Sequence, residues 1–365
     1  MFDNEPERYW EIALKECAHV IVTNVASLRK RPDVLVICGP HNKMLAEYIM
    51  LESQRIGAHP YLWTFDEDFY LKSLETDPEI LTTRMLGHTC GLVEKAHVVI
   101  WLSQFADIGR FPARVRKTIY SFWDRINEAV EHKPRLYVNL PSPKLIRAMR
   151  INHLEFLSTF INGVKVDYHR LRETGAALAS RLDGKEYVRI LHENGTDLRM
   201  RIQGRRVAFE AGTLEDCYSA GRECSVDVPA GEVYVAPVED SANGVVVVDE
   251  HKDYRLSRLE LHFQNGRLVE FNAQSGSEIF RKMLAEAEGE KDRIGEFGIG
   301  TNYGIKPVGW SIYDEKALGT AHVAIGRNVH LGGVNEASIH MDFVLNKPSI
   351  EVDSKLIMKK GKIRG

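Results

Sequence analysis

"EYVRILHENGTDLRMRI" (residues 186–202) decides how this chain is to be read. Two alternating runs flank Asn194-Gly195, and Asn-Gly between such runs is a strong hairpin signal, because a type I′ turn needs φ > 0 at both central residues. Upstream the pattern is different. DVLVICG (33–39), HPYLWTF (59–65), HVVIWLS (97–103) and RLYVNLP (135–141) are short apolar runs. They are separated by segments of helical periodicity such as NKMLAEYIMLESQRIGA (42–58), RMLGHTCGLVEKA (84–96) and PARVRKTIYSFWDRINEAVEHK (112–133). Strands alternating with helices imply βαβ units and a parallel sheet. The stretch 142–183 reads as helical and closes on Gly184, a helix stop. Downstream of the hairpin, RLELHFQNGRLVEFNA (258–273) repeats the signal around Asn265-Gly266, and IEVDSKLIMKKGKI (350–363) ends the chain in similar style. One helix, around SGSEIFRKMLAEAEG (275–289), interrupts the β pattern. The expected fold is therefore α/β. An N-terminal domain (1–183) carries a mostly parallel sheet, and a C-terminal domain (184–365) is largely antiparallel β with α+β character.

The 365 residues exceed what one core usually serves. A net charge of −3 with both signs dispersed argues against a nucleic-acid or anionic-membrane partner. No window reaches the apolar length of a membrane span. The N-terminal stretch is acidic and amphipathic, a first helix and not a signal peptide. Cys17, Cys38, Cys90, Cys217 and Cys224 form no C-x-x-C pair. Scattered thiols of this kind fit a reducing cytoplasm and read as small buried hydrophobes. CGPHNK (38–43) lacks a full phosphate-loop pattern and reads as a strand-to-helix turn.

The polar residues of the second half need more explanation. EASIHMDFVL (336–345) is strand-like, yet carries His340 and Asp342 two positions apart, and so on one face. Asp is poor in strands and costly to bury unpaired. The pair is a hydrogen-bonded couple, a water-facing pair, or two ligands to one metal. GTAHVAIG (319–326) places His322 between small residues within hairpin distance, as a satisfied core histidine or a further ligand. RIGEFGIGTN (293–302) sets Glu296 among glycines that cannot fill a core, and VPAGEVYVAPVEDSANG (228–244) puts Glu232 at the start of a strand. Each carboxylate, taken alone, reads as solvated. Should the five converge, two divalent cations and one hydroxide would neutralise Glu232, Glu296 and Asp342. A partly buried site needs that neutrality, since net charge in low dielectric is heavily penalised.

These motifs, with GTDLRM (195–200), DEKALGTAHVAIG (314–326) and SIHMDF (338–343), resemble the aminopeptidase T group of dinuclear metallopeptidases. They recur in that family's order and cover the second half of the chain. The resemblance implies a metal-binding C-terminal domain in which Glu232, Glu296, His322, His340 and Asp342 match ligands, with Glu315 as a sixth. It implies two divalent ions (zinc, cobalt or manganese), about 3.5–4 Å apart, that activate water and polarise the scissile carbonyl. It also implies a small peptide substrate and a homodimer. Glu296 or Glu239 would carry the proton to the leaving amine, although Glu239 also suits a role orienting ligands from behind. The family's peptidases carry a tyrosine soon after the histidine strand. RNVHLGG (327–333) has none, and His330 is its ionisable side chain. Ring-cleaving dioxygenases of dihydroxypyridine resemble the same scaffold with one Fe(II). They carry a histidine at the position of Glu296 and an apolar residue at that of His322, so this chain departs from them at both places.

Overall fold

The computed structural model describes residues 5–28, 31–64, 66–77, 79–80, 84–103, 113–215 and 225–364. By internal contacts the chain divides into two units. One comprises Met1–Ala148, Asn152–Lys165 and Gly212–Pro229, and the other Met149–Ile151, Val166–Ala211 and Ala230–Gly365.

In the first unit, β1 (Asp33–Cys38), β2 (His59–Thr64), β3 (Val98–Leu102), β4 (Arg135–Val138) and β8 (Ser225–Val228) form one parallel sheet in the order β2-β1-β3-β4-β8. Every position of β3 and nearly every position of β1 is buried, as a parallel sheet covered on both faces requires. The helices are α1 (Glu5–Val20), α2 (Lys43–Arg55), α3 (Glu67–Thr76), α4 (Arg84–Lys95), α5 (Ala113–Val130), α6 (Pro143–Ala148) and α7 (His153–Val164). CGPHNK turns β1 into α2, and the Asn42 amide donates to the carbonyls of Ser103 and Leu140 at 3.0 and 2.8 Å. That side chain ties loops together. Cys17, Cys38 and Cys90 are free thiols, while Cys217 and Cys224 lie outside the described residues.

The second unit begins with α8 (Tyr168–Leu182), whose N-cap Asp167 accepts from the amides of His169 and Arg170. Compared with a single break at 183/184, the observed division assigns α8 to this unit and β8 to the other. The reason for the first assignment is packing: a methyl added at Gly175 of α8 would come 2.9 Å from the Phe209 ring. Both expected hairpins are present. β5 (Tyr187–Leu191) pairs with β6 (Asp197–Arg201) across Asn194-Gly195, and β11 (Leu256–Gln264) pairs with β12 (Arg267–Ser275) across Asn265-Gly266. With β10 (Asn243–His251), β16 (Ser349–Val352), β17 (Lys355–Lys359) and β18 (Lys362–Ile363) they form an eight-stranded sheet. A second sheet, in the order β15-β14-β13-β9-β7, joins β7 (Ala208–Glu210), β9 (Glu232–Val235), β13 (Ile294–Gly300), β14 (Thr320–Gly326) and β15 (His340–Asn346). Two helices complete the unit, α9 (Ser277–Glu286) and α10 (Ser311–Asp314).

The odd-numbered residues of the second sheet build the core. Val233, Val235, Phe297, Ile299, Val323, Ile325, Met341 and Phe343 are buried with Val188, Ile190, Leu198, Leu259 and Leu261 of the eight-stranded sheet. Each such side chain taken from water contributes about 1.5–3 kcal/mol. Because side chains alternate between faces, this core fixes the register and sends the even-numbered residues of β9, β14, β15 and, from Glu296 onward, β13 to the other face; a bulge between Ile294 and Glu296 keeps Ile294 in the core. No helix among the described residues is long and apolar enough to cross a membrane.

Candidate metal centre

Glu232, Glu296, His322, His340 and Asp342 all have even numbers and share the face opposite the core. Register then sets them side by side. Ala324 pairs with Glu296 on one flank and Asp342 on the other, Gly298 pairs with His322, Gly300 with Glu232, and Gly326 with His340. Residues directly opposite in antiparallel strands meet on one face, so alanine and glycine at the intervening positions leave room for the large polar ones. The need is sharpest at Gly298, where an added Cβ would fall 2.1 Å from His322 Cε1.

Two groups of three donors result, Glu232–Glu296–His322 and Glu296–His340–Asp342, each with its ligand atoms within 4.8 Å of one another. Glu296 belongs to both and divides its oxygens between them. Oε1 lies 3.5 Å from His322 Nε2, and Oε2 lies 3.0 Å from His340 Nε2. Glu232 Oε2 is 3.6 Å from His322 Nε2, and Asp342 Oδ1 is 3.4 Å from His340 Nε2. A tetrahedral ion with ligand bonds near 2.1 Å separates its donors by about 3.4 Å, so these spacings fit a divalent cation. His340 Nδ1 donates to the Arg327 carbonyl at 2.7 Å, which turns Nε2 toward the carboxylates. His322 is fully buried, and its Nδ1 finds no hydrogen-bond partner among the described residues.

The electrostatics tell the same story from the proton's side. Burial works against ionisation of Glu296, but His322 and His340 outweigh it and hold the carboxyl below the usual range. Burial likewise opposes the charged form of Asp342, and His340 holds that carboxyl down. Although burial lowers His322, Glu296 and then Glu232 and Asp342 raise its imidazolium to about 9. His340 is raised well above its ordinary value for the same reason, against burial, with Asp342 the largest favourable partner. A nest of carboxylates that holds protons this firmly on two imidazoles also favours other cations.

The remaining sequence candidates stand outside the two donor groups. Glu315 follows α10 and belongs to neither donor group. Its Oε1 accepts from Lys316 Nζ at 2.9 Å, and burial pushes its carboxyl up to about 8. Lys316 went unnoticed in the sequence. It is only 1 % exposed, and its Nζ also donates to Glu232 Oε1 at 3.2 Å. A lysine beside a glutamate reads as surface charge, and nothing local marks this one as buried. Glu239 is buried with both oxygens engaged. Oε1 accepts from the Val334 amide at 2.8 Å and from Asn328 at 3.3 Å, and Oε2 pairs with Arg205. Buried Asn328 and Asn335 continue that network, with the Asn335 amide donating to the carbonyls of Ile294 and Gly326. The segment so anchored carries His330, whose ring stands edge-on to His340 at 5.3 Å. Partial loss of water, and then the charge of His340, keep His330 below its usual pKa.

Known proteins resemble this chain in sequence and in fold. Aminopeptidase AmpS of Bacillus subtilis is 24% identical over 242 residues, which is 59% of this chain and 55% of that protein. The chain thus spans about half the length of the curated relatives it matches. In fold, AmpT from Thermus thermophilus superposes with a TM-score of 0.77 at 17% identity, covering 98% of this chain and 100% of that one. A 2,5-dihydroxypyridine dioxygenase from Pseudomonas putida gives 0.64 at 16% identity, covering 97% and 98%. One fold thus carries proteins named for two different chemistries, so fold alone does not fix the reaction. Residues 165–363, which hold every donor described above, match the model of a family described as thermophilic metalloprotease (M29), and the chain belongs to that family.

Proposed function

We propose that this chain is a metal-dependent aminopeptidase that removes N-terminal residues from small peptides, with two divalent ions held by Glu232, Glu296, His322, His340 and Asp342. One observation carries the two-ion reading: Glu296 turns one oxygen to His322 and the other to His340. When bound, the ions supply Lewis acidity toward the scissile carbonyl and toward water. Glu296, at the junction of the two groups, takes a proton from the attacking water and passes it to the leaving amine. Lys316 engages Oε1 of Glu232 and leaves Oε2 facing His322. Glu239 anchors the segment that presents His330 through its bonds to Arg205, Asn328 and the Val334 amide. His330, beside His340, stands where it can donate to the substrate. The presence of Glu296 and His322 favours hydrolysis over the single-iron alternative, for which the family resemblance implies a histidine and an apolar residue at those positions.

The test is hydrolysis of leucyl-p-nitroanilide and related aminoacyl-nitroanilides. Protein supplied with Zn²⁺ or Co²⁺ should turn them over, chelator should abolish turnover, and returned metal should restore it. N-acetylated substrates should resist cleavage. Oxygen uptake with hydroxylated pyridines and Fe(II), without amidase activity, would contradict the reading.

A further inference from the structure

Three consecutive residues that play no part in the donor set hold two segments of the centre's surroundings. His251, the last residue of β10, is 4 % exposed, and its Nε2 donates to the Asp342 carbonyl at 2.9 Å. The Lys252 amide donates to the Gly309 carbonyl at 3.1 Å and its Nζ to the Val308 carbonyl at 2.8 Å. Asp253 Oδ2 accepts from Ser311 Oγ at 2.7 Å, at the first residue of α10, the helix that leads into Glu315 and Lys316. We propose that His251-Lys252-Asp253 is a clamp that sets the His340–Asp342 strand against the 308–311 segment, with His251 the positioning residue for the second donor group. The inference rests on the metal reading of that group.

The need for a clamp follows from topology. β15 stands at one end of its sheet, so β14 pairs with only one of its edges. An edge strand lacks the second ladder that fixes a central one, and it drifts more readily. Here the strand carries two donors whose placement must hold to a fraction of an ångström. His251 supplies one bond on the side away from β14, at the ligand residue itself. Its ring is fixed in turn by Tyr254, with ring centroids 4.6 Å apart, and by Phe343 of β15 at 5.9 Å. Glu232, Glu296 and His322 sit on strands with neighbours on both sides and do not depend on it.

His251→Phe keeps the aromatic packing and deletes the bond. In the metal-free protein, amide exchange of the β15 segment should quicken about tenfold, the consequence of one lost hydrogen bond, while β9 and β13 stay protected. On titration with Co²⁺ followed by absorption, one equivalent should bind as in the wild type and the other about 10–100-fold more weakly. His251→Gln, whose amide reaches the same carbonyl, should restore both readouts. Equal weakening of both equivalents, or no change in either, overturns the clamp, and so does unchanged β15 exchange. A wild-type protein that takes up no Co²⁺ removes the metal reading instead, and the clamp then stands or falls on the exchange result.

Discussion

Glu296→Gln should lower turnover of an aminoacyl-nitroanilide by at least about 10²–10⁴-fold, the usual worth of a positioned acid–base group, and should weaken binding of both ions together. The shared carboxylate is the reason. Glutamine keeps the shape and one carbonyl oxygen but loses the charge that faces His322 and His340. The nitrogen that replaces one oxygen is a donor and binds no cation, so one group loses a ligand and the other keeps a weak one. Fold should be retained, because the face that builds the core carries the odd-numbered neighbours Phe297 and Ile299. Calorimetric metal titration alongside the kinetic assay separates the two effects. Turnover within about threefold of the wild type would remove Glu296 from the mechanism.

Gly298→Ala should disable the Glu232–Glu296–His322 group although it adds a single methyl. The new Cβ would lie 2.1 Å from His322 Cε1 and 2.3 Å from Nε2, far inside van der Waals contact. The clash falls on the ring, since Gly298 is an ordinary residue of a fully buried strand. Alanine in a strand would otherwise be neutral to mildly stabilising. Here overpacking should cost about 1–3 kcal/mol and swing His322 off its carboxylates. Denaturant unfolding of the metal-free protein reads the first effect. Metal titration reads the second, with one equivalent lost or weakened at least about 100-fold, beyond what a removed outer partner costs. Wild-type affinity for both equivalents would show that the ring is not held where the strand register puts it.

How much of this was legible beforehand depended on how local each cause is. The hairpins at Asn194-Gly195 and Asn265-Gly266 were readable because turn chemistry is local, although only Asn265-Gly266 takes positive φ at both residues; at the first hairpin Gly195 alone does, within a longer loop between Leu191 and Asp197. The common face of His340 and Asp342 followed from strand alternation, and the glycines of 295–300 signalled that something needed room. Register was not readable. That Gly298 lies under His322, and that Ala324 separates Glu296 from Asp342, depends on which strands pair and how. Buried Lys316 gave no signal, because its burial is set by carboxylates that arrive from β9 and from Glu315. Within its own motif Glu239 suited a proton carrier and an orienting group equally, and only the folded chain brings Arg205, Asn328 and Val334 to its oxygens. His251 stood in an unremarked strand end for the same reason: its partner is 91 residues away.

The central claim is that one carboxylate serves two cations, and anomalous scattering at the zinc edge from crystals grown with Zn²⁺ tests it most directly. The account predicts two peaks that share Glu296, one also bound by Glu232 and His322 and the other by His340 and Asp342. A single peak, or none within reach of Glu296, would contradict it.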